Sequence, residues 1–333
     1  MKIYCILFDT CPRLKEIENC FKDKDLHYAD YITNSFTTTS LVSLFTGKTP
    51  SEMHRGGIGY HGTYKYFVDK ENWNAKFLFN KLPEDWNIHL HGDKDNYKFV
   101  TEECCGIDRE YSSYIYDVGV NENEFLQQMR DLPHDQNHFI FIKYNHYHDV
   151  AATGSGHDTA VKFFIDTINS IDFTEENSMF WLFSDHGIPH KVDHLMSPPD
   201  AWLSWVSVTD NITNEDVDKD LIYVCDFHDT VLNRVLGTEL SSVDVLSPLD
   251  PNQIYVVEDG RASADINYCT TVSAITQISC NVFKQFSHYR LSNQSRTVLY
   301  ETGTGNMMQV EEDTKLIDHL KNGVWGDWYM GIG

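Results

Sequence analysis

The sequence predicts an α/β fold: a mostly parallel central sheet with helices against it, followed by a small antiparallel sheet and a closing helix. Three observations carry this. The stretches from Ile3 to Phe8, His138 to Tyr144 and Ser178 to Phe183 are near-continuous apolar runs of strand length, the pattern of strands covered on both faces. Segments with helical spacing lie between them. After a turn-rich stretch from Ser241 to Asn252 the pattern changes to three further runs that suit antiparallel strands, Ile254 to Glu258, Cys280 to Phe286 and Thr297 to Glu301.

In chain order, the first apolar run ends at Asp9. Four hydroxyl residues, Thr37 to Ser40, then precede a helix from Ser40 to Phe45 that Gly47 and Pro50 close. The hydroxyls lie where backbone N–H groups are unpaired and the helix dipole is positive, a setting that favours an alkoxide or a bound anion but also suits an ordinary cap. Asn87 to Leu90 reads as a strand and Glu124 to Arg130 as a helix. The second apolar run leads into Asn145-His-Tyr-His148-Asp149. Val161, Phe164, Ile165, Ile168 and Ile171 recur at helical spacing, giving a helix from Thr159 to Ile171. The third run ends in Ser184-Asp185-His186-Gly187. Leu203 to Val208 reads as a strand, Phe227 to Leu236 as a helix closed by Gly237, and Lys315 to Lys321 as the last helix. The aromatic segment Trp202 to Trp205 is expected in the core.

The chain has 333 residues, 41% of them hydrophobic, enough for a large core with a smaller appendage. A formal charge of −24 argues against nucleic acid and against anionic membrane surfaces as partners. Its eight cysteines form no C-x-x-C pair, so free thiols in a reducing compartment are expected. The opening apolar run is too short for a signal peptide, and no run approaches the roughly 18 apolar residues of a membrane span. The expected location is cytoplasmic.

Three apolar strands therefore each end in groups that can hold a metal or a phosphate: Asp9; His146, His148 and Asp149; and Asp185 with His186. Ligands of open α/β sheets lie at that edge, so the recurrence points to one convergent site.

Four segments, in order, resemble the sulfatase-like branch of the alkaline phosphatase superfamily. Ile6-Leu-Phe-Asp9-Thr-Cys-Pro-Arg13 is similar to the family's opening strand. Thr37-Thr-Thr-Ser40-Leu-Val-Ser43-Leu-Phe-Thr46-Gly47-Lys-Thr-Pro50 is similar to its nucleophile helix. Phe183-Ser-Asp185-His186-Gly187 is similar to its D-H-G turn. Asp226-Phe-His-Asp-Thr230-Val-Leu-Asn-Arg-Val-Leu-Gly237 is similar to its D-x-x-P-T helix, with Asp229 in place of Pro. The resemblance implies helices on both faces of the sheet, a catalytic unit at 1–240, and a small α+β unit at 250–333. It places Thr37 at the nucleophile position and Asp9, Asp185 and His186, together with Thr37, around a divalent ion. His148, with His190 or His194, then contacts the transferred group or protonates the leaving group. Mn²⁺, Zn²⁺ or Mg²⁺ suits these ligands better than Ca²⁺, and a second ion using His148, Asp149 or His157 is left open.

Three departures bear on the chemistry. Thr37 cannot be oxidised to the formylglycine of sulfatases. Leu41 replaces the Arg of their C-x-P-S-R signature. The usual paired Asp after the first strand is reduced to Asp9. The resemblance thus implies a phosphate- or phosphonate-ester hydrolase, phosphodiesterase-like, acting on a small-molecule, glycan or lipid-headgroup ester. Its ligand arrangement is similar to that of lipoteichoic acid synthases. A sulfatase working without formylglycine, or an inactive binding protein, are the alternatives.

Overall fold

The computed structural model describes residues 1–34, 37–53, 77–91, 113–115, 121–147, 156–187, 202–213, 215–237, 244–247, 250–263, 266–289, 294–302 and 304–325. Eight strands form the main sheet: β1 (Lys2–Phe8), β2 (Ala29–Ile32), β3 (Trp86–His91), β4 (Ser113–Ile115), β5 (Asn137–Tyr144), β6 (Ser178–Phe183), β7 (Leu203–Asp210) and β8 (Leu221–Tyr223), in the order β4-β3-β5-β1-β6-β7-β2-β8. All run parallel except β7, which is antiparallel to β6 and β2. The α/β class and the mostly parallel sheet expected from the apolar runs are therefore present.

Strand β1 is buried at every position because it lies between β5 and β6 with helices on both faces. Ile3, Cys5 and Leu7 pack with α2 (Thr37–Thr46) and α6 (Asp226–Leu236), through Leu41, Phe45, Phe227 and Val231. Tyr4, Ile6 and Phe8 pack with α1 (Lys15–Lys22), α4 (Glu122–Arg130) and α5 (His157–Ser170), through Phe21, Phe125 and Phe164. The period of two along the strand thus divides one apolar run between two helical layers. A short helix α3 (Pro50–Met53) follows α2, and Leu78–Asn80 is a single 3-10 turn. Trp202 and Trp205 are fully buried, as expected.

The second sheet is an antiparallel meander: β9 (Tyr255–Ser263), β10 (Ile266–Ser279), β11 (Val282–Tyr289), β12 (Gln294–Glu301) and β13 (Asn306–Gln309). Helix α7 (Thr314–Asn322) starts where the Asp313 carboxylate accepts the N–H groups of Lys315 and Leu316. Leu316, Ile317 and Leu320 of α7 and Val256, Val272 and Phe286 of the meander belong to the same apolar cluster as α2 and α6.

Several boundaries differ from the sequence reading. Cys280 lies in the turn between β10 and β11 and does not open a strand, since an alternating run gives no register by itself. Helix α2 begins at Thr37, not Ser40, so Thr38, Thr39 and Ser40 are helical residues. Strands β2 and β8 escape a search for apolar runs because they are four and three residues long, and β2 carries Asp30. Among the described residues no helix is long and apolar enough to cross a membrane.

Candidate active site

The register of the sheet assembles the site. Leu7 of β1 pairs with Lys143 of β5 and with Phe183 of β6, so the carboxyl ends of three parallel strands lie level. Asp9 and Asp185 each stand two residues beyond that level, just past the ends of two adjacent strands. Lys143 shares the face of Leu7, which is the face that α2 covers.

The cluster is tight and dry. Asp9 is 2%, Asp185 0% and His186 6% exposed, and one ligand atom from each lies within 4.8 Å of the others. The Thr37 hydroxyl, on the first turn of α2, is 3.4 Å from Asp9 Oδ1 and 3.3 Å from His186 Nε2. His186 Nδ1 is 2.6 Å from the Gly187 carbonyl. A carbonyl only accepts, so Nδ1 carries a proton, and Nε2 is the ring nitrogen turned to the cluster. Asp185 Oδ1 accepts the Thr10 N–H at 3.0 Å. Its Oδ2 has no hydrogen-bond partner, with His186 Nε2 at 3.6 Å and the Thr37 hydroxyl close enough to favour the charged form.

Lys143 was not foreseen. Its side chain is 3% exposed, and its ammonium lies 2.7 Å from Asp9 Oδ2. Burial alone raises the Asp9 pKa, but Lys143, His186 and the hydrogen bonds from Lys143 and Thr10 outweigh it, so Asp9 sits below its ordinary value. Asp185 goes the other way: burial raises it and the neighbouring Asp9 charge adds to the rise. Two carboxylates kept apart in this manner, an imidazole oriented by a backbone carbonyl, and an orphaned buried oxygen fit a divalent cation. Asp9, Thr37, Asp185 and His186 are the residues that would hold it.

Solved structures match nearly the whole chain. A protein in the alkaline phosphatase superfamily from Vibrio parahaemolyticus superposes with a TM-score of 0.61 over 98% of this chain and 88% of its own, at 13% identity. The chain has the alkaline phosphatase superfamily fold. The lipoteichoic acid synthase LtaP from Listeria monocytogenes superposes with a TM-score of 0.53 over 98% of this chain and 91% of its own, at 11% identity. No protein-family model and no curated protein matches the sequence.

Within this superfamily fold the remaining expected residues fall in different places. His148, Asp149, His190 and His194 lie outside the described residues. His157 is at the start of α5, where its Nδ1 meets the Tyr147 hydroxyl at 2.7 Å, and it is not among the clustered ligands. His146 stacks on Phe163 with ring centroids 3.8 Å apart, and its buried Nδ1 has no hydrogen-bond partner. Arg13 pairs with Asp30 at 2.6 Å. The signal for Lys143 was available: a lone cation inside His138-Phe-Ile-Phe-Ile-Lys143-Tyr144 needs a buried anion to face. Thr10 was also passed over. Its φ of +59° is a conformation that β-branched residues adopt at a cost of roughly 1–2 kcal/mol.

Proposed function

We propose that this chain is a metal-dependent hydrolase of phosphate or phosphonate esters with Thr37 as its nucleophile. The observation that carries the reading is the position of Thr37 Oγ1, 3.4 Å from Asp9 Oδ1 and 3.3 Å from His186 Nε2 at the first turn of α2. When bound, a divalent ion supplies Lewis acidity that lowers the pKa of a nearby hydroxyl and draws electron density from a phosphoryl oxygen. Asp9 Oδ1 faces the Thr37 hydroxyl proton. The N-terminus of α2 adds a fixed positive potential where anionic oxygens would sit. Thr37 Oγ1 passes its proton to Asp9 Oδ1 and forms a bond to phosphorus as the ester P–O bond breaks, and the leaving alcohol takes a proton, for which His148, His190 or His194 is proposed. Water then cleaves the phosphothreonine and restores the hydroxyl. Oxygen and nitrogen ligands without thiolate suit Mn²⁺, Zn²⁺ or Mg²⁺. A small-molecule, glycan or lipid-headgroup ester remains the proposed substrate class, since Thr37 cannot become formylglycine and sulfate esters are correspondingly disfavoured.

The test is turnover of matched aryl phosphate, phosphonate, phosphodiester and sulfate substrates by the metal-loaded full chain. Thr37→Ala is expected to lower turnover by at least about a thousandfold, with an unchanged melting profile. Wild-type turnover in that variant removes Thr37 from the chemistry, and a preference for the sulfate ester removes phosphorus.

A further inference from the structure

We propose that the Thr10 hydroxyl is a direct ligand of the divalent ion, a fifth donor beside Asp9, Thr37, Asp185 and His186. This rests on the metal reading above and adds a residue to it. Thr10 Oγ1 lies 2.8 Å from Asp9 Oδ1 and 3.5 Å from His186 Nε2. Thr37 Oγ1 lies 3.4 Å and 3.3 Å from the same two atoms. Atoms bound to one divalent ion at about 2.0–2.2 Å stand about 3.0–3.5 Å apart at right-angled to tetrahedral openings. The two threonine hydroxyls therefore converge on one imidazole nitrogen and one carboxylate oxygen with separations close to those of neighbouring ligands.

The backbone of Thr10 supplies an independent observation. Three non-glycine residues have positive φ among the described residues, Thr10, Asp25 and Asn177. Asp and Asn enter this region readily, whereas a β-branched residue does so against its own sterics. The strained turn does two things at once. It aims the Thr10 N–H at Asp185 Oδ1, at 3.0 Å, and so fixes the carboxylate whose other oxygen is buried without a hydrogen-bond partner. It also brings the Thr10 hydroxyl, 2% exposed with its residue, into the cluster. Strain of this kind persists where the surroundings over-determine it, as they do around a ligand.

Charge gives the consequence. The residue beyond Asp9 offers a neutral oxygen and not a third carboxylate, and Lys143 already neutralises Asp9 Oδ2. A donor set with two carboxylates, one imidazole and two hydroxyls is matched to small ions that accept nitrogen, such as Mn²⁺, Co²⁺ or Zn²⁺, and poorly matched to Ca²⁺.

The experiment loads the full chain with Co²⁺ and records its visible absorption and its affinity by chelator competition, for wild type, Thr10→Ser and Thr10→Gly. Glycine adopts φ +59° without strain, so loss of the hydroxyl is separated from loss of the fold. The expected result for Thr10→Gly is affinity weakened about 10- to 100-fold, with a more intense absorption as the coordination number falls. Thr10→Ser is expected to restore both. A Thr10→Gly spectrum identical to wild type overturns the proposal, because the hydroxyl then only hydrogen-bonds to Asp9. A wild-type chain that holds no Co²⁺ overturns the underlying metal reading, and Thr10's role with it.

Discussion

Lys143 faces Asp9 from a strand whose four preceding residues, 139–142, are all apolar, and both side chains are buried. Removing one member of such a pair leaves a buried charge without compensation, which typically costs about 3–5 kcal/mol. Lys143→Met keeps the stem and deletes the ammonium. The metal-free variant is expected to lose about 3 kcal/mol in chemical denaturation, and saturating Mn²⁺ is expected to recover much of it by neutralising Asp9 instead. Equal losses with and without metal would separate Lys143 from the ion. Asp226 behaves differently. Its Oδ2 accepts the Tyr223 N–H while Oδ1 has no hydrogen-bond partner, and burial, partly offset by Lys219, pushes its pKa up to about 6. The unfolded chain releases this proton near the ordinary carboxylate value and the folded chain holds it to about 6. Stability therefore falls as pH rises through that window and stays lower above it. Asp226→Asn is expected to gain on wild type by about 1–3 kcal/mol between pH 4 and pH 7, read from denaturation midpoints. A difference that does not change with pH would show that Asp226 ionises normally. At this scale the sequence disclosed Asp9, Thr37, Asp185 and His186, because each closes an apolar run or opens a helix. It did not disclose Thr10, whose part depends on a backbone angle, nor the anion that Lys143 faces, which a strand pairing across more than a hundred residues decides.

Helix α2 is the element that holds Thr37, and both its ends are pinned. At its start, Asn34 Nδ2 donates to the Thr39 carbonyl and to Ser43 Oγ, Ser40 Oγ donates to the Asn34 carbonyl, and Asn34 Oδ1 accepts the N–H of Glu258 on β9. At its end, Gly47 has φ +68° and donates its N–H to the Ser43 carbonyl. A β-carbon there would stand 3.0 Å from His228 Nδ1. His228 has little room to move, since Lys81 meets its Nε2 at 2.9 Å and Asp229 its Nδ1 at 2.6 Å. Gly47→Ala is therefore expected to cost about 1–3 kcal/mol of stability and to shift α2 enough to lower turnover, both measurable on one preparation. Unchanged stability would mean that α2 tolerates a different end. The helix itself was readable from its apolar residues and its closing glycine. Its start was misplaced by three residues because a run of hydroxyls suits a cap and a first turn equally well.

For the molecule as a whole, the order of the strands was beyond the reach of local pattern. An apolar run says that both faces of a strand are covered and leaves its neighbours undefined. Nor did anything local connect the meander to the site. Glu258 is fully buried on β9, where its carboxylate accepts from the Ser51 N–H and hydroxyl and from Trp325 Nε1, while its N–H reaches Asn34 at the head of α2. The last sheet is thereby tied to the helix that carries Thr37.

The central place of β1 has a consequence for how the chain comes into being. Both partners of this strand, β5 and β6, are encoded well downstream of it. At a synthesis rate of 5–20 residues per second, β1 waits about 7–27 s for β5 and about 9–35 s for β6. Until those partners are made, β1 keeps unpaired edges and uncovered apolar faces, the kind of surface that nascent-chain holdases shield.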